Sequence, residues 1–187
     1  MRMNQTNKTK WSDVKRELQA LDKAALIGAI GDMYKLSAGN REFLAARFLN
    51  VQTGEMLETY RMRIVHEFYP PRGMGNPKLH VARRAVSDYR KATGNMIGAL
   101  DLMLTYVETG TRFTNDYGDL WQSFYSSMES MLDGIAELLF KRPELYNQVD
   151  VAQRLWRLQR DAAGIGWGYG SYVNDRIDEI RTHFGDV

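Results

Sequence analysis

The densest set of side chains able to do chemistry in this sequence is basic. Between Arg72 and Lys91 lie Arg72, Lys78, Arg83, Arg84, Arg90 and Lys91, with His80 among them, against a single acid, Asp88. Six cations against one acid give the segment +5 in a chain of formal net charge +2, so the remainder is near −3. A concentrated cationic face attracts phosphates and acidic protein surfaces. Gly73 and Gly75 would let backbone N–H groups approach an anion near the start of the following helix. The plainer reading is a solvated helix face whose arginines pair with neighbouring acids. A second set is acidic: Glu108, Asp116, Asp119, Glu129 and Asp133. Carboxylates on neighbouring helices can build a magnesium or manganese site. The Glu-x-x-His pattern of di-iron bundles is missing, however, and Asp119 reads as a helix cap. Asp116, near a helix C-terminus, sits against the dipole and needs a partner, for which Arg112 one turn back is the simplest. A buried Arg112–Glu129 pair is the expected use of Glu129. No metal or cofactor is assigned.

Arg61 and His66, in the run RMRIVH, form a third set. An arginine and a histidine with four residues between them is the arrangement of a large class of helical ribonucleases, where the imidazole moves a proton and the guanidinium holds the phosphate. Positions five apart on a regular helix diverge by about 140°, and Met62 stands where those enzymes usually have a polar residue. The expected structure is therefore a surface Arg61 and a half-buried His66, with a metal-independent ribonuclease kept as the alternative. Nucleophilic catalysis has little support: Ser123, Ser126, Ser127 and Ser130 fall on a helix flank, not on a strained turn. The three histidines, at 66, 80 and 183, have no spacing suited to a metal. With no cysteine there is no disulfide, thiolate chemistry or Cys-bound metal. Gly164, Gly166, Gly168 and Gly170 alternate with Ile165, Trp167 and Tyr169, which is not a dinucleotide fingerprint. They read as a chain passing close to packed helices, anchored by Trp167, or else as a mobile loop lining a pocket.

The elements that must position these residues are all helical. Met96 to Val107, MIGALDLMLTYV, is apolar all round apart from Asp101 and Thr105. Such a helix must be enclosed by others, and the run is too short to cross a bilayer. It is read as a central helix continuing toward Asp116 and stopped by Gly118. Before it, caps at Ser12, Asp22 and Ser37 open three short helices. A fourth runs from Thr53 to the Pro70–Pro71 pair, and a fifth from Pro77 to about Thr93. In the fifth, Leu79, Ala82, Val86 and Tyr89 face inward, and His80, Arg83, Arg84, Ser87, Arg90 and Lys91 outward. After the centre, Asp119 with Gln122 reads as a capping box, followed by the cleanest amphipathic pattern in the chain, Trp121 to Leu139. Helices over 144–162 and Asn174 to Phe184 complete the series. No segment alternates with period two, so no sheet is expected.

Several stretches resemble an uncharacterised family of bacterial, all-helical domains of unknown function. The most specific is FTNDYGDLWQSFYSSMESM, Phe113 to Met131. With it go LQALDKAALIGAIGDMYKLSAGNREFLAARF, EFYPPRGMGNPKLHVARRAVSDYRK and the GIGWG after position 163. The resemblance implies one helical domain and carries over no catalytic residue. The expectation is an all-α single-domain bundle of about eight helices in antiparallel pairs over 11–187. A polar, disordered tail over 1–10 would precede it, lacking the apolar stretch of a secretory signal. The expected function is non-enzymatic binding by the 72–91 face of an acidic protein partner or nucleic acid. The setting is read as cytoplasmic and not membrane-bound, and self-association through an exposed apolar stripe stays open.

Overall fold

A computed structural model describes residues 10–49, 53–72 and 76–186. The N-terminal tail up to residue 9, and Gly73 and Gly75, fall outside the described residues. Among the described residues there are nine α-helices, one short 3-10 turn at Pro143–Leu145 and no strand. The helices are α1 Trp11–Gln19, α2 Lys23–Leu36, α3 Ala38–Phe48, α4 Thr53–Phe68, α5 Leu79–Thr93, α6 Met96–Tyr117, α7 Gln122–Lys141, α8 Val151–Ala162 and α9 Tyr169–Phe184. No described helix is long and apolar enough to cross a membrane. The chain divides into two compact units, Met1–Leu49 and Asn50–Val187.

In the first unit, α2 and α3 pack as a hairpin. Both expected caps form: Asp22 accepts from the Ala25 N–H at 2.7 Å and Ser37 from the Asn40 N–H at 3.0 Å. Ser12 caps nothing. α1 starts one residue earlier, and the Asp13 carboxylate accepts from the Lys10 N–H at 3.3 Å.

In the second unit, α6 is the axis, packing against α4, α5, α7 and α8. Asn95 accepts from the Gly98 N–H at 3.0 Å and so caps α6. Gly118 ends it in a left-handed conformation that a side chain would resist (φ 89°). Leu100, Leu102, Leu104, Tyr106 and Val107 are wholly buried, a gross burial contribution on the order of 10 kcal/mol. Close approach to the neighbours uses glycine. A Cβ at Gly98 would meet the Tyr89 hydroxyl at 2.2 Å, and one at Gly110 the Met128 sulfur at 2.2 Å. Contacts such as Arg61–Asp101 and Tyr69–Asp116 advance together along α4 and α6, so these run parallel. Tyr106–Ser127 and Gly134–Met103 advance in opposite senses, so α7 returns antiparallel.

Four sequence expectations fail locally. α5 begins at Leu79, with Pro77 buried in the approach to it. α7 begins at Gln122 with no side-chain cap, because Asp119 accepts instead from the Tyr125 hydroxyl at 3.0 Å. The single helix over 144–162 is broken: after the 3-10 turn, Val149 (φ 46°) and Asp150 (φ 54°) are both left-handed before α8 starts. α9 starts five residues early, at Tyr169. Its Gly170 lies so close to α8 that a Cβ there would stand 2.7 Å from the Ala162 carbonyl oxygen.

Candidate functional site

A cleft of about 630 Å³ has α6 as floor and Arg61 of α4 and the polar face of α8 on its sides. Its centre is Asp101, the one acid in the otherwise apolar run of α6, and it is 5% exposed. A buried carboxylate must be paired, and here both oxygens are. Arg61 donates from Nη2 to Oδ2 at 2.6 Å, and Arg154 of α8 from Nη1 to Oδ1 at 2.6 Å. Arg154 also grips Glu108 bidentately, Nε to Oε1 and Nη2 to Oε2, each at 2.7 Å. Its Nη2 reaches Thr105 Oγ1 at 3.3 Å. Burial by itself would ease a proton off Arg154, but the bonds to Glu108 and Asp101 outweigh it and raise its pKa further. Arg61 Nε lies 3.0 Å from Glu58 Oε2 without the alignment a hydrogen bond needs.

A second rung follows one turn and more beyond. The Asn115 side-chain amide donates to the Asp161 carbonyl at 2.8 Å. Glu108–Arg154 and Asn115–Asp161 have the same sequence offset, 46. That constant offset makes α6 and α8 parallel and puts Arg112 level with Leu158, beside Arg157. Both arginines line the cleft between the two rungs. Neither forms an ion pair among the described residues. Arg112 lies over the Tyr69 ring at 4.5 Å. The Tyr69 hydroxyl donates to Asp116 at 2.6 Å. Burial first, then that bond to Asp116, pushes the Tyr69 pKa up to about 12. The rim at the start of α8 is strained, since Val149 is β-branched and left-handed. Such strain costs about 1–3 kcal/mol per residue and collects at binding sites.

The expected site residues fare differently. Arg83, read as outward, turns to α7, where Nη1 donates to the Ser127 carbonyl at 2.8 Å and Nη2 to Ser130 Oγ at 3.3 Å. The long guanidinium stem lets a flank residue reach the neighbouring helix. Arg84 lies 3.5 Å from Asp88 in an exposed pair, of little energetic weight. Arg72, Lys78, His80, Arg90 and Lys91 are exposed, with no ion pair among the described residues. Arg61 and His66 are not brought together: Arg61 enters the cleft, while His66 is exposed in a separate shallow depression with Glu55 and Arg63. The carboxylates disperse. Glu108 belongs to Arg154 and Asp116 to Tyr69. Asp133 accepts from Tyr172 and pairs with Arg176 at 2.7 Å. Among the described residues no three His, Asp or Glu side chains come together to hold a metal. The Arg112–Glu129 pair is absent. Glu129 stands half-buried with no ion pair among the described residues, and burial together with nearby Asp133 raises its pKa. Trp167 is not a buried anchor but 62% exposed. The Phe113–Met131 and GIGWG stretches do meet: a Cβ at Gly166 would stand 2.8 Å from Asp119 Oδ2. Just outside them, Thr111 bonds the Tyr169 hydroxyl at 2.7 Å.

Nothing local separates Arg154 and Arg157 from other arginines on a polar helix face, so the sequence does not single them out. Asp101 carried the available signal, as a lone acid where every neighbour is buried. Comparison with family models, with curated proteins and with solved structures finds no match to this chain.

Proposed function

We propose that this protein binds, without catalysis, a small anion carrying a carboxylate or phosphate group in the cleft over α6. The observation that carries the reading is Arg112 and Arg157, level with each other between two bonded rungs and without acidic partners. Two guanidiniums facing one opening match a doubly charged oxyanion. The cleft volume falls within the range of small-molecule sites, roughly 300–1,000 Å³. Binding is favoured over catalysis because arginine donors already occupy both oxygens of Asp101 and of Glu108. Calorimetric titration with inorganic phosphate, pyrophosphate and citrate tests it. Saturable binding by at least one probe, weakened about tenfold or more in Arg157→Gln, is expected. Wild type that binds none of them at about 10 mM refutes the reading.

A second reading keeps the α5 face as a contact for an acidic protein partner or nucleic acid, supported by the exposed, unpaired Lys78, Arg90 and Lys91 with His80 and Arg72 beside them. Engagement of about three to five phosphates gives a log–log salt slope near −2 to −5 for nucleic acid. Fluorescence anisotropy with labelled RNA and DNA at two salt concentrations reads it, and charge reversal at Arg90 and Lys91 abolishes it. The same assay, followed for cleavage, disposes of the ribonuclease alternative if RNA stays intact. Membership of the helical family that the motifs resemble is part of the proposal and assigns no activity.

A further inference from the structure

We infer that the α2–α3 hairpin is a self-association surface, its occupant a second copy of the same hairpin. The inference is independent of the cleft. No residue of α1 or α2 is buried. On α2 the positions Ile27, Ile30, Gly31 and Tyr34 follow the i, i+3, i+4, i+7 spacing of a core-facing stripe, yet Ile27 is 60% and Tyr34 47% exposed. Met33, on the same helix, and Phe48, near the end of α3, are exposed as well.

The area is sufficient. Eight large apolar side chains of the hairpin and its end, from Ile27 to Leu49, are 41% exposed or more. At about 200 Å² each they present on the order of 1,000 Å², against the ~800 Å² per partner of a stable interface. Charge points to a copy rather than to a strongly charged partner. Residues 11–49 hold six Lys or Arg and five Asp or Glu, so the surface neither selects an acidic or basic partner nor repels itself. Geometry agrees. A stripe along one helix is self-complementary across a two-fold axis, and a hairpin meeting its copy forms a four-helix bundle. Gly31 has no heavy atom within 4 Å of where a Cβ would stand. A helix-interior glycine costs roughly 0.5–1 kcal/mol against alanine, and no described residue approaches this one. On the stripe it leaves room for a facing helix to approach.

Sedimentation equilibrium of the full chain tests this. Wild type is expected to sediment at twice its 21.5 kDa at concentrations of tens of micromolar, roughly the range of a modest interface. Ile27→Asp with Ile30→Asp is expected to remain monomeric, and circular dichroism shows whether its helices persist. Gly31→Leu is the separating variant. It has room within the chain and favours helix, so stability should rise while dimerisation weakens about tenfold or more. A wild type that stays monomeric to about 100 µM overturns the inference. So does a dimer that the Ile27/Ile30 and Gly31 variants leave unchanged.

Discussion

Asp101→Ala should be among the most damaging single substitutions in the second unit. The Asp101 side chain is 6% exposed and takes 2.6 Å bonds from both Arg61 and Arg154. Removing one partner of a buried pair costs ~3–5 kcal/mol, because the other charge is left buried. Here each arginine keeps some compensation: Arg154 retains Glu108, and Arg61 is a third exposed, so water reaches it. The expected loss is therefore at the low end, about 3 kcal/mol. For a domain of this size that lowers Tm by roughly 6–12 °C. Urea unfolding at pH 7, followed by tryptophan fluorescence and circular dichroism, measures it. Arg154→Ala should cost a similar amount, and the double variant little more, giving a coupling energy of about 2 kcal/mol. Asp88→Ala, which removes the exposed partner of Arg84, is the control and should change stability by less than about 0.5 kcal/mol. A loss under ~1 kcal/mol for Asp101→Ala, or strict additivity with Arg154→Ala, would refute the view that this pair is a desolvated strut.

Three further outcomes are expected. Because the pKa of Glu129 is raised in the folded state, the fold binds the extra proton, and the residue costs stability as pH rises through and above the ordinary carboxylate range. Glu129→Gln should therefore stabilise at pH 7 by at least the ~0.2–0.5 kcal/mol of a like-charge pair with Asp133. The gain should vanish in acid, where Glu129 is protonated in both states; a gain that is independent of pH would argue against the assignment. Asp150→Gly relieves a left-handed non-glycine at the cleft rim and removes a carboxylate that lines it, so it should raise stability by up to about 1 kcal/mol and strengthen binding in the phosphate titration. Gly170→Ala, aimed at the Ala162 carbonyl oxygen, should lose about 1–3 kcal/mol, whereas Gly28→Ala, with open space around it, should gain ~0.5–1 kcal/mol. Thermal melts of the two glycine variants moving in the same direction would contradict the packing described.

What could be read from the sequence was whatever local hydrogen bonding and periodicity decide. Asp22 and Ser37 cap their helices because each meets an N–H three residues on, and no distant group competes. Asp119 has the same local credentials, but its carboxylate is claimed by Tyr125 and crowded by Gly166. That competition exists only after α6, α7 and the glycine-rich turn have packed. The break before α8 is similar. Val149 packs against the core, and a β-branched residue in a left-handed conformation contradicts every local preference, so no propensity argument would place it. The basic segment was legible as charge but not as geometry, since the reach of Arg83 to α7 depends on where Ser127 and Ser130 stand.

The cleft illustrates why a single acid in an apolar run is worth more attention than a dense charge cluster. Solvated charges on α5 can be rearranged at little cost, so their number constrains neither position nor partner. Asp101 has no such freedom. Its burial demands cations from two other helices, and that demand helps to fix how α4 and α8 sit against α6. Once Arg154 is drawn to Asp101 and Glu108, the constant offset between α6 and α8 carries Arg112 and Arg157 to the same level, where neither is held in an ion pair among the described residues. The structural strut and the candidate anion site thus follow from one residue. Perturbing Asp101 should accordingly disturb both stability and anion binding, while Arg157→Gln should disturb binding alone.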